Sequence, residues 1–165
     1  MGKALDDEEV DDERWMRQSL AAAREAAEAG EVPIGACVVS HENRILAVAG
    51  NRTRRDCDPT AHAEILVLRE AAQAVGNYRL AAARLYVTIE PCAMCAGAMI
   101  QARIARLIYG ARDERAGSIE SHFRILDNSS LNHRIEYAGG ILEDECRLVM
   151  QEFFRQRRGK MPSTE

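Results

Sequence analysis

The spacing of apolar residues along the chain predicts alternating helices and strands. From Asp12 onward, apolar positions recur every three or four residues until Gly30, and this period predicts a first amphipathic helix. Two short apolar runs follow at residues 34–40 and 44–49. The polar turn between these two runs predicts an antiparallel hairpin.

Beyond a polar loop at residues 51–60, the pattern alternates between helix and strand. Helices are predicted at residues 58–75, 92–102 and 143–158, strands at 85–89, 104–109 and 134–137, and a short helix near Phe123. Strand–helix–strand units imply parallel pairing with right-handed crossovers. We therefore expect an α/β fold, a three-layer α-β-α arrangement around a mixed five-stranded sheet.

Most of the acidity lies at the start of the chain. The formal net charge is −4, but residues 1–13 contain seven acidic residues and one lysine, which leaves a small positive charge for the remainder. An acidic block without apolar periodicity cannot bury enough surface to offset its ordering entropy. We therefore predict a disordered acidic extension at residues 1–12 and a single folded domain at residues 13–160.

The overall composition is that of an ordinary globular protein. Hydrophobic residues make up 47% of the chain and charged residues 29%, close to average usage. No apolar run approaches the roughly 20 residues that a membrane span needs. The acidic start also differs from a signal peptide. We therefore expect a cytoplasmic protein that does not contact a membrane.

Two short motifs together predict a catalytic metal site. His62 and Glu64 lie upstream, and Cys92 and Cys95 lie downstream, directly after a proline. One imidazole and two thiolates leave the fourth position of a zinc ion open for water, as in catalytic sites, whereas structural sites use four protein ligands. We predict that His62, Cys92 and Cys95 bind one Zn²⁺ ion per subunit.

The spacing within each motif suits these roles. Cys92 and Cys95 lie three residues apart in the first turn of a predicted helix, which places both sulfurs on one face, near N–H groups that favour thiolates. His62 and Glu64 lie two residues apart, so they are expected at the irregular entrance of a helix. Glu64 is then the general base and later the general acid for a zinc-activated water.

Either motif alone has other interpretations. A Cys-x-x-Cys pair also occurs in redox proteins and in structural zinc sites. A structural zinc would need a fourth protein ligand, and no histidine lies at a typical ligand spacing. The histidines that remain as candidates are His41, His122 and His133.

Together, the two motifs form the zinc-deaminase signature, and the surrounding residues resemble the family of bacterial tRNA-specific adenosine deaminases, within the cytidine/deoxycytidylate deaminase superfamily. The similarity extends over residues 13–158. The zinc motif is common to the superfamily, whereas three other segments are similar to the tRNA branch. These segments are Gly110-Ala111-Arg112-Asp113, Asn132-His133-Arg134 and Phe153-Phe154-Arg155.

The resemblance implies a cytidine-deaminase-like fold and zinc-dependent conversion of adenosine to inosine at the wobble position of a tRNA anticodon, in an arginine tRNA. It implies a homodimer in which the partner subunit completes each pocket, and an anticodon stem-loop as the bound RNA. It also implies substrate contacts from Asn51, the Ala63 N–H, Arg112, Asp113, Phe153 and Arg157. From the residues alone, Asn51 could instead stabilise a turn, and at least one of Phe153 and Phe154 could belong to the core.

One position departs from the family. Glu120 stands where the family has the second glycine of the segment after Asp113, and glutamate adopts left-handed backbone conformations only at a cost. We therefore expect an altered loop there, with a carboxylate close to the path of the RNA. This departure leaves a second function open, which is deamination of a free base or nucleoside such as guanine or cytosine.

Overall fold

The structure is a computed structural model that describes the backbone of residues 3–159 and the side chains of residues 11–159. In this part of the chain the elements, in order, are α1 (Lys3–Glu28), β1 (Gly35–Val39), β2 (Ile45–Gly50), α2 (Ala63–Val75), β3 (Arg84–Ile89), α3 (Ala93–Gln101), β4 (Arg106–Ala111), a 3-10 turn (Ile125–Asp127), β5 (Glu136–Gly139) and α4 (Glu143–Arg158). The predicted α/β fold with a mixed five-stranded sheet is confirmed.

The sheet has the strand order β2-β1-β3-β4-β5. Strand β1 pairs antiparallel with both β2 and β3, while β3–β4 and β4–β5 are parallel. Ile89 pairs with Ala111 at the carboxyl ends of β3 and β4. The turns that follow these two strands therefore lie side by side at one edge of the sheet, where parallel α/β proteins usually bind their ligands.

Helices cover both faces of the sheet, so its central strands β1, β3 and β4 are buried except for the half-buried first residues of β3 and β4. All five residues of β1 are buried. One apolar cluster packs α2 and α3 on one face, and it includes Val67, Met99 and Leu107. A second cluster packs α1 and α4 on the other face, and it includes Trp15 and Cys146. The three-layer arrangement follows from these two cores.

Helix α1 is tied to the sheet by a buried polar contact near its start. Asp12 is only 4% exposed and accepts a hydrogen bond of 2.7 Å from the Tyr86 hydroxyl. Its other carboxylate oxygen lies 3.3 Å from the Arg106 guanidinium. Because Tyr86 and Arg106 belong to β3 and β4, this contact fixes α1 against the middle of the sheet.

Two helix starts differ from the sequence prediction. Helix α1 begins at Lys3, upstream of Asp12, and α2 begins at Ala63 rather than near residue 58. Before α2, the Asp58 carboxylate accepts a hydrogen bond from the Thr60 N–H at 2.8 Å, which holds these residues in a turn instead of a helix. Strand β5 is also shifted by two residues, since it spans Glu136–Gly139 instead of the predicted 134–137.

The predicted division of the chain at residue 12 stays a prediction. Residues 1 and 2 of the predicted extension and residue 160 of the predicted domain lie outside the described residues. Among the helices that the structure describes, none combines the length and apolarity needed to cross a membrane.

Candidate active site

The three predicted zinc ligands meet at one point beside the sheet. The ligand atoms of His62, Cys92 and Cys95 all lie within 4.8 Å of one another. His62 Nδ1 is 3.7 Å from the Cys92 sulfur and 3.6 Å from the Cys95 sulfur. Residues 30 positions apart in the sequence thus form one cluster, as the two motifs predicted.

Two helix N-termini position these ligands. His62 is the N-cap of α2, with φ −72° and ψ 149°, and Cys92 is the N-cap of α3, with φ −75° and ψ 174°. Both residues have extended backbones, so each lies just outside the helix that it precedes. Cys95 lies in the first turn of α3 and is fully buried. The unpaired N–H groups of a helix start favour thiolates there.

The separations fit a tetrahedral zinc ion. Zinc–sulfur bonds of about 2.3 Å and zinc–nitrogen bonds of about 2.0 Å require nitrogen–sulfur separations of roughly 3.5 Å. The observed 3.6 and 3.7 Å are close to this value. Within the described residues the cluster contains only these three metal-binding side chains. The donor set therefore suits a zinc ion with one open coordination position.

The other histidines do not supply a fourth ligand. His133 Nε2 is bonded to the backbone carbonyl of Ile104 at 2.7 Å. The His122 ring stacks edge-on against Phe123, with 4.6 Å between the ring centroids. The His41 side chain is exposed, 4.0 Å from the Glu42 carboxylate. These positions argue against a closed structural zinc site.

Glu64 carries a buried carboxyl group beside the cluster. The residue is 3% exposed, and its Oε2 has no hydrogen-bond partner among the described residues. Burial raises the pKa of the Glu64 carboxyl to about 7. A carboxyl group that titrates near neutrality can both accept and donate a proton, which general acid–base catalysis requires.

The cluster is also electrostatically coupled. Hydrogen bonding with Cys95 lowers the pKa of Cys92 to about 4, and the same contact raises the pKa of Cys95. Hydrogen bonding with Cys92 raises the pKa of His62. A bound divalent cation would favour the deprotonated form of both thiols.

Asn51 contacts the start of α2 from the end of β2. Its Oδ1 accepts a hydrogen bond of 2.8 Å from the Ala63 N–H, and Asn51 is 5% exposed. The Ala63 N–H, predicted to contact the purine, therefore has a partner within the protein. Because the His62 side chain makes no capping bond, Asn51 supplies the cap that α2 otherwise lacks.

Three of the four remaining predicted contact residues lie on a separate groove. This groove has a volume of about 1080 Å³ and runs between the segment after β4 and α4. It brings together Arg112, Asp113 and Arg157, but Phe153 does not line it. Phe153 is 8% exposed, whereas Phe154 is 42% exposed and lines the groove. The structure therefore places Phe153 in the core and offers Phe154 to a ligand.

Glu120 does not strain the backbone as expected. Its φ is not positive, so the position needs no glycine. Its carboxylate accepts a hydrogen bond from the Tyr109 hydroxyl and lies 3.7 Å from the Arg112 guanidinium. Glu120 therefore does not adopt the left-handed backbone that would favour glycine, while the expectation of an altered loop relative to the family stays a prediction.

Two buried carboxylates that hold loop segments in place were not predicted. Glu31 is 1% exposed and accepts hydrogen bonds from the Arg54 and Arg55 N–H groups at 3.1 and 2.7 Å. Although burial raises its pKa, these bonds lower it below the ordinary value. Glu90 is 3% exposed. A glutamate between an apolar strand and a proline is rarely buried without partners, so Glu90 could have been suspected from sequence.

Comparison with known proteins identifies the family. Residues 10–158 match the family model of MafB19-like deaminases. The chain is 44% identical over 147 residues to the tRNA-specific adenosine deaminase of Haemophilus influenzae, covering 89% of this chain and 85% of that protein. It is 46% identical over 144 residues to that of Agrobacterium fabrum, covering 87% and 94%. The chain belongs to the tRNA-specific adenosine deaminase family.

A similar solved structure supports the assignment of this chain to the tRNA-specific adenosine deaminase family. It is a tRNA:A34 deaminase, described in a study of A-to-I editing at the wobble position of transfer RNA. The TM-score is 0.80 at 46% identity, and the match covers 82% of this chain and 98% of the other. Both the fold and the family are therefore shared along almost the whole described chain.

Proposed function

We propose that this protein hydrolytically deaminates adenosine to inosine at the wobble position of a tRNA anticodon, in an arginine tRNA, with one bound zinc ion per subunit. One observation carries the proposal: three metal-ligand atoms converge beside the buried carboxyl group of Glu64, whose Oε2 has no hydrogen-bond partner among the described residues. The chain that holds this site is 44–46% identical to named tRNA-specific adenosine deaminases. The substrate follows from these relatives, and the chemistry follows from the site.

Each residue of the site has a separate role in this reaction. His62, Cys92 and Cys95 hold the zinc ion, which lowers the pKa of a water molecule toward neutrality when bound. Glu64 removes one proton from the attacking water and delivers it to the ring nitrogen of the purine, and it then transfers the second proton of that water, from the new C6 hydroxyl, to the departing amine. The oxygen of water replaces the amine at C6, and ammonia leaves.

The groove beside α4 supplies a surface for the anticodon stem-loop. Arg112, Arg157 and Arg158 line it together with the exposed ring of Phe154. Guanidinium groups bind phosphates, and aromatic rings stack on unpaired bases of RNA loops. We assign the stacking role to Phe154 rather than Phe153, because only Phe154 is accessible. Asp113 lies at the same groove, where it can meet the sugar of the target nucleotide.

We further propose that the enzyme is a homodimer that acts in the cytoplasm, where its tRNA substrate is found. An exposed apolar side chain next to the metal cluster supports an interface there. Met94, which lies between Cys92 and Cys95 in the first turn of α3, is 37% exposed. Sedimentation equilibrium should give twice the mass of one chain, and a monomer would contradict this part of the proposal.

A substrate panel tests the reaction. The purified zinc-loaded protein is incubated with an arginine anticodon stem-loop that carries adenosine at the wobble position, and separately with adenosine, guanine and cytosine. We expect inosine at the wobble position by mass spectrometry and no ammonia release from the free compounds. Ammonia release from a free base or nucleoside, with an unchanged stem-loop, would show that the small-molecule alternative is correct.

A further inference from the structure

Glu90 connects two segments of the active site that lie far apart in the sequence. It follows β3 directly and precedes the turn that presents Cys92. Its own N–H donates to the Ala111 carbonyl at 2.8 Å, which fixes its backbone against the end of β4. The side chain is 3% exposed. A carboxylate held this rigidly offers fixed acceptor positions to whatever chain passes beside it.

The segment after β4 wraps around this carboxylate. Glu90 Oε1 accepts hydrogen bonds from the N–H groups of Ile119, Glu120 and Ser121 at 3.0, 2.7 and 3.0 Å. Glu90 Oε2 accepts one from the Asp113 N–H at 3.2 Å and another from the Ser121 hydroxyl. Both ends of the segment from residue 113 to residue 121 are thus bonded to one side chain.

Two further contacts hold the same segment close to Glu90. The Ser118 N–H donates to the Pro91 carbonyl at 2.8 Å, so the backbone next to Glu90 holds the same segment. A Cβ atom added to Gly117 would lie 2.5 Å from the Glu90 carboxyl carbon and 2.4 Å from the Asp113 carbonyl oxygen. The segment therefore passes so close to the carboxylate that only glycine fits at residue 117.

The orientation of Asp113 depends on this carboxylate. The Asp113 N–H is bonded to Glu90, and its Oδ1 accepts the N–H groups of Arg115 and Ala116 at 3.0 and 3.3 Å. Asp113 and Arg115 both line the groove that we assign to the anticodon stem-loop. A change in the position of the Asp113 backbone would therefore move this wall of the groove.

We propose that Glu90 is a positioning residue that holds the segment of residues 113–121 in its RNA-binding conformation, against the turn that carries Cys92. This inference rests on the proposed function, since the groove is the surface assigned there to RNA. Glu90 acts through Asp113 and its neighbours, and it does not contact the substrate itself. Its loss should therefore weaken RNA binding more than it slows the reaction of bound RNA.

The test is Glu90→Gln, which keeps the size of the side chain but replaces one acceptor oxygen with an NH2 group that faces N–H donors. We expect the Kd for the wobble-adenosine stem-loop to rise about tenfold, because an NH2 group at the Oε2 position leaves the Asp113 N–H without its acceptor, and at the Oε1 position it leaves three N–H groups without theirs. Fluorescence anisotropy in a Glu64→Ala background measures Kd without turnover. Zinc content per chain should stay at the wild-type value, and the single-turnover rate at saturating RNA should fall by less than about threefold.

Asp12→Asn is the matched control, since it makes the same chemical change at another buried carboxylate, which contacts the start of β4 rather than the end that lines the groove. It should lower the thermal midpoint while the Kd for RNA stays unchanged. If Glu90→Gln does not fold, Ser121→Ala removes one of the donors and should raise Kd about two- to threefold. If Asp12→Asn raised the Kd for RNA as much as Glu90→Gln, general destabilisation would explain both changes, and the inference would be overturned.

The outcomes separate this inference from the proposed function. Tight stem-loop binding by the wild type, with equal binding by Glu90→Gln, overturns the positioning role alone. Loss of zinc in Glu90→Gln also overturns it, because Glu90 would then support the metal cluster rather than the groove. A wild type that neither binds nor deaminates the stem-loop overturns the proposed function and this inference with it.

Discussion

Replacing Asn51 tests how the start of α2 is held in place. In the structure the Asn51 Oδ1 accepts the Ala63 N–H at 2.8 Å, and Ala63 is fully buried. Asn51→Ala leaves this N–H without a partner and out of contact with water. The substitution also loosens the residue before Ala63, which is the predicted zinc ligand His62.

The size of the effect follows from the burial. Loss of a helix N-cap costs about 0.5–2 kcal/mol, and an unpaired buried N–H costs about 1–3 kcal/mol. We expect the free energy of unfolding to fall by about 1–2 kcal/mol. For a chain of this length, the thermal midpoint should fall by about 2–8 °C. Urea denaturation of wild type and variant at equal zinc content measures the difference.

Asn51→Asp separates the capping role from a role in substrate binding. Aspartate retains an oxygen that can accept the Ala63 N–H, so stability should return to within about 0.5 kcal/mol of the wild type. It lacks the NH2 group, so wobble deamination should stay impaired if Asn51 also contacts the purine. Unchanged stability in Asn51→Ala would refute the assignment of the cap.

Three further predictions concern charge and metal. Asp12→Asn keeps an acceptor for Tyr86 but removes the charge beside Arg106, so urea denaturation should show a loss of about 1–3 kcal/mol; an unchanged midpoint would contradict this. Glu120→Gln removes the charge beside Arg112, so stem-loop affinity should rise by up to about threefold, with a steeper salt dependence; weaker binding would be inconsistent with it. Removing zinc with a chelator should lower the thermal midpoint and abolish turnover, and adding zinc back should restore both. A thermal midpoint that is the same with and without zinc would count against the metal site.

Local spacing predicted the parts of the site that are local in sequence. The separation of Cys92 and Cys95 fits one helical turn, and the interval between His62 and Glu64 fits a helix entrance. The periods of the apolar residues likewise predicted the sheet and its mixed pairing. These features depend on backbone geometry within a few residues, so they can be recognised without knowing the tertiary structure.

Contacts between distant residues could not be predicted in this way. The cap of α2 comes from Asn51, the segment after β4 is held by Glu90, and Glu120 is accommodated by Tyr109 and Arg112. Each of these contacts exists because the sheet places separate turns side by side. No period or spacing within one segment indicates such a contact.

The assignment of the two adjacent phenylalanines could have been made from the sequence. Phe153 continues a stripe of apolar positions on α4. The stripe includes Cys146, Val149 and Met150, which belong to the core between α1, α4 and the sheet or pack against it. Phe154 is out of phase with this stripe. The likeness to the family suggested Phe153 as the RNA contact, whereas helical phase favours Phe154.

The most direct test of the account is a comparison of the wild type with Glu64→Gln on the anticodon stem-loop at saturating enzyme. Inosine is measured by mass spectrometry, and zinc per chain is measured by elemental analysis. The account predicts inosine with the wild type and a rate lower by a factor of about 10²–10⁴ with Glu64→Gln, at equal zinc content. Inosine formation at the wild-type rate by Glu64→Gln would contradict the assignment of this site as the catalytic centre.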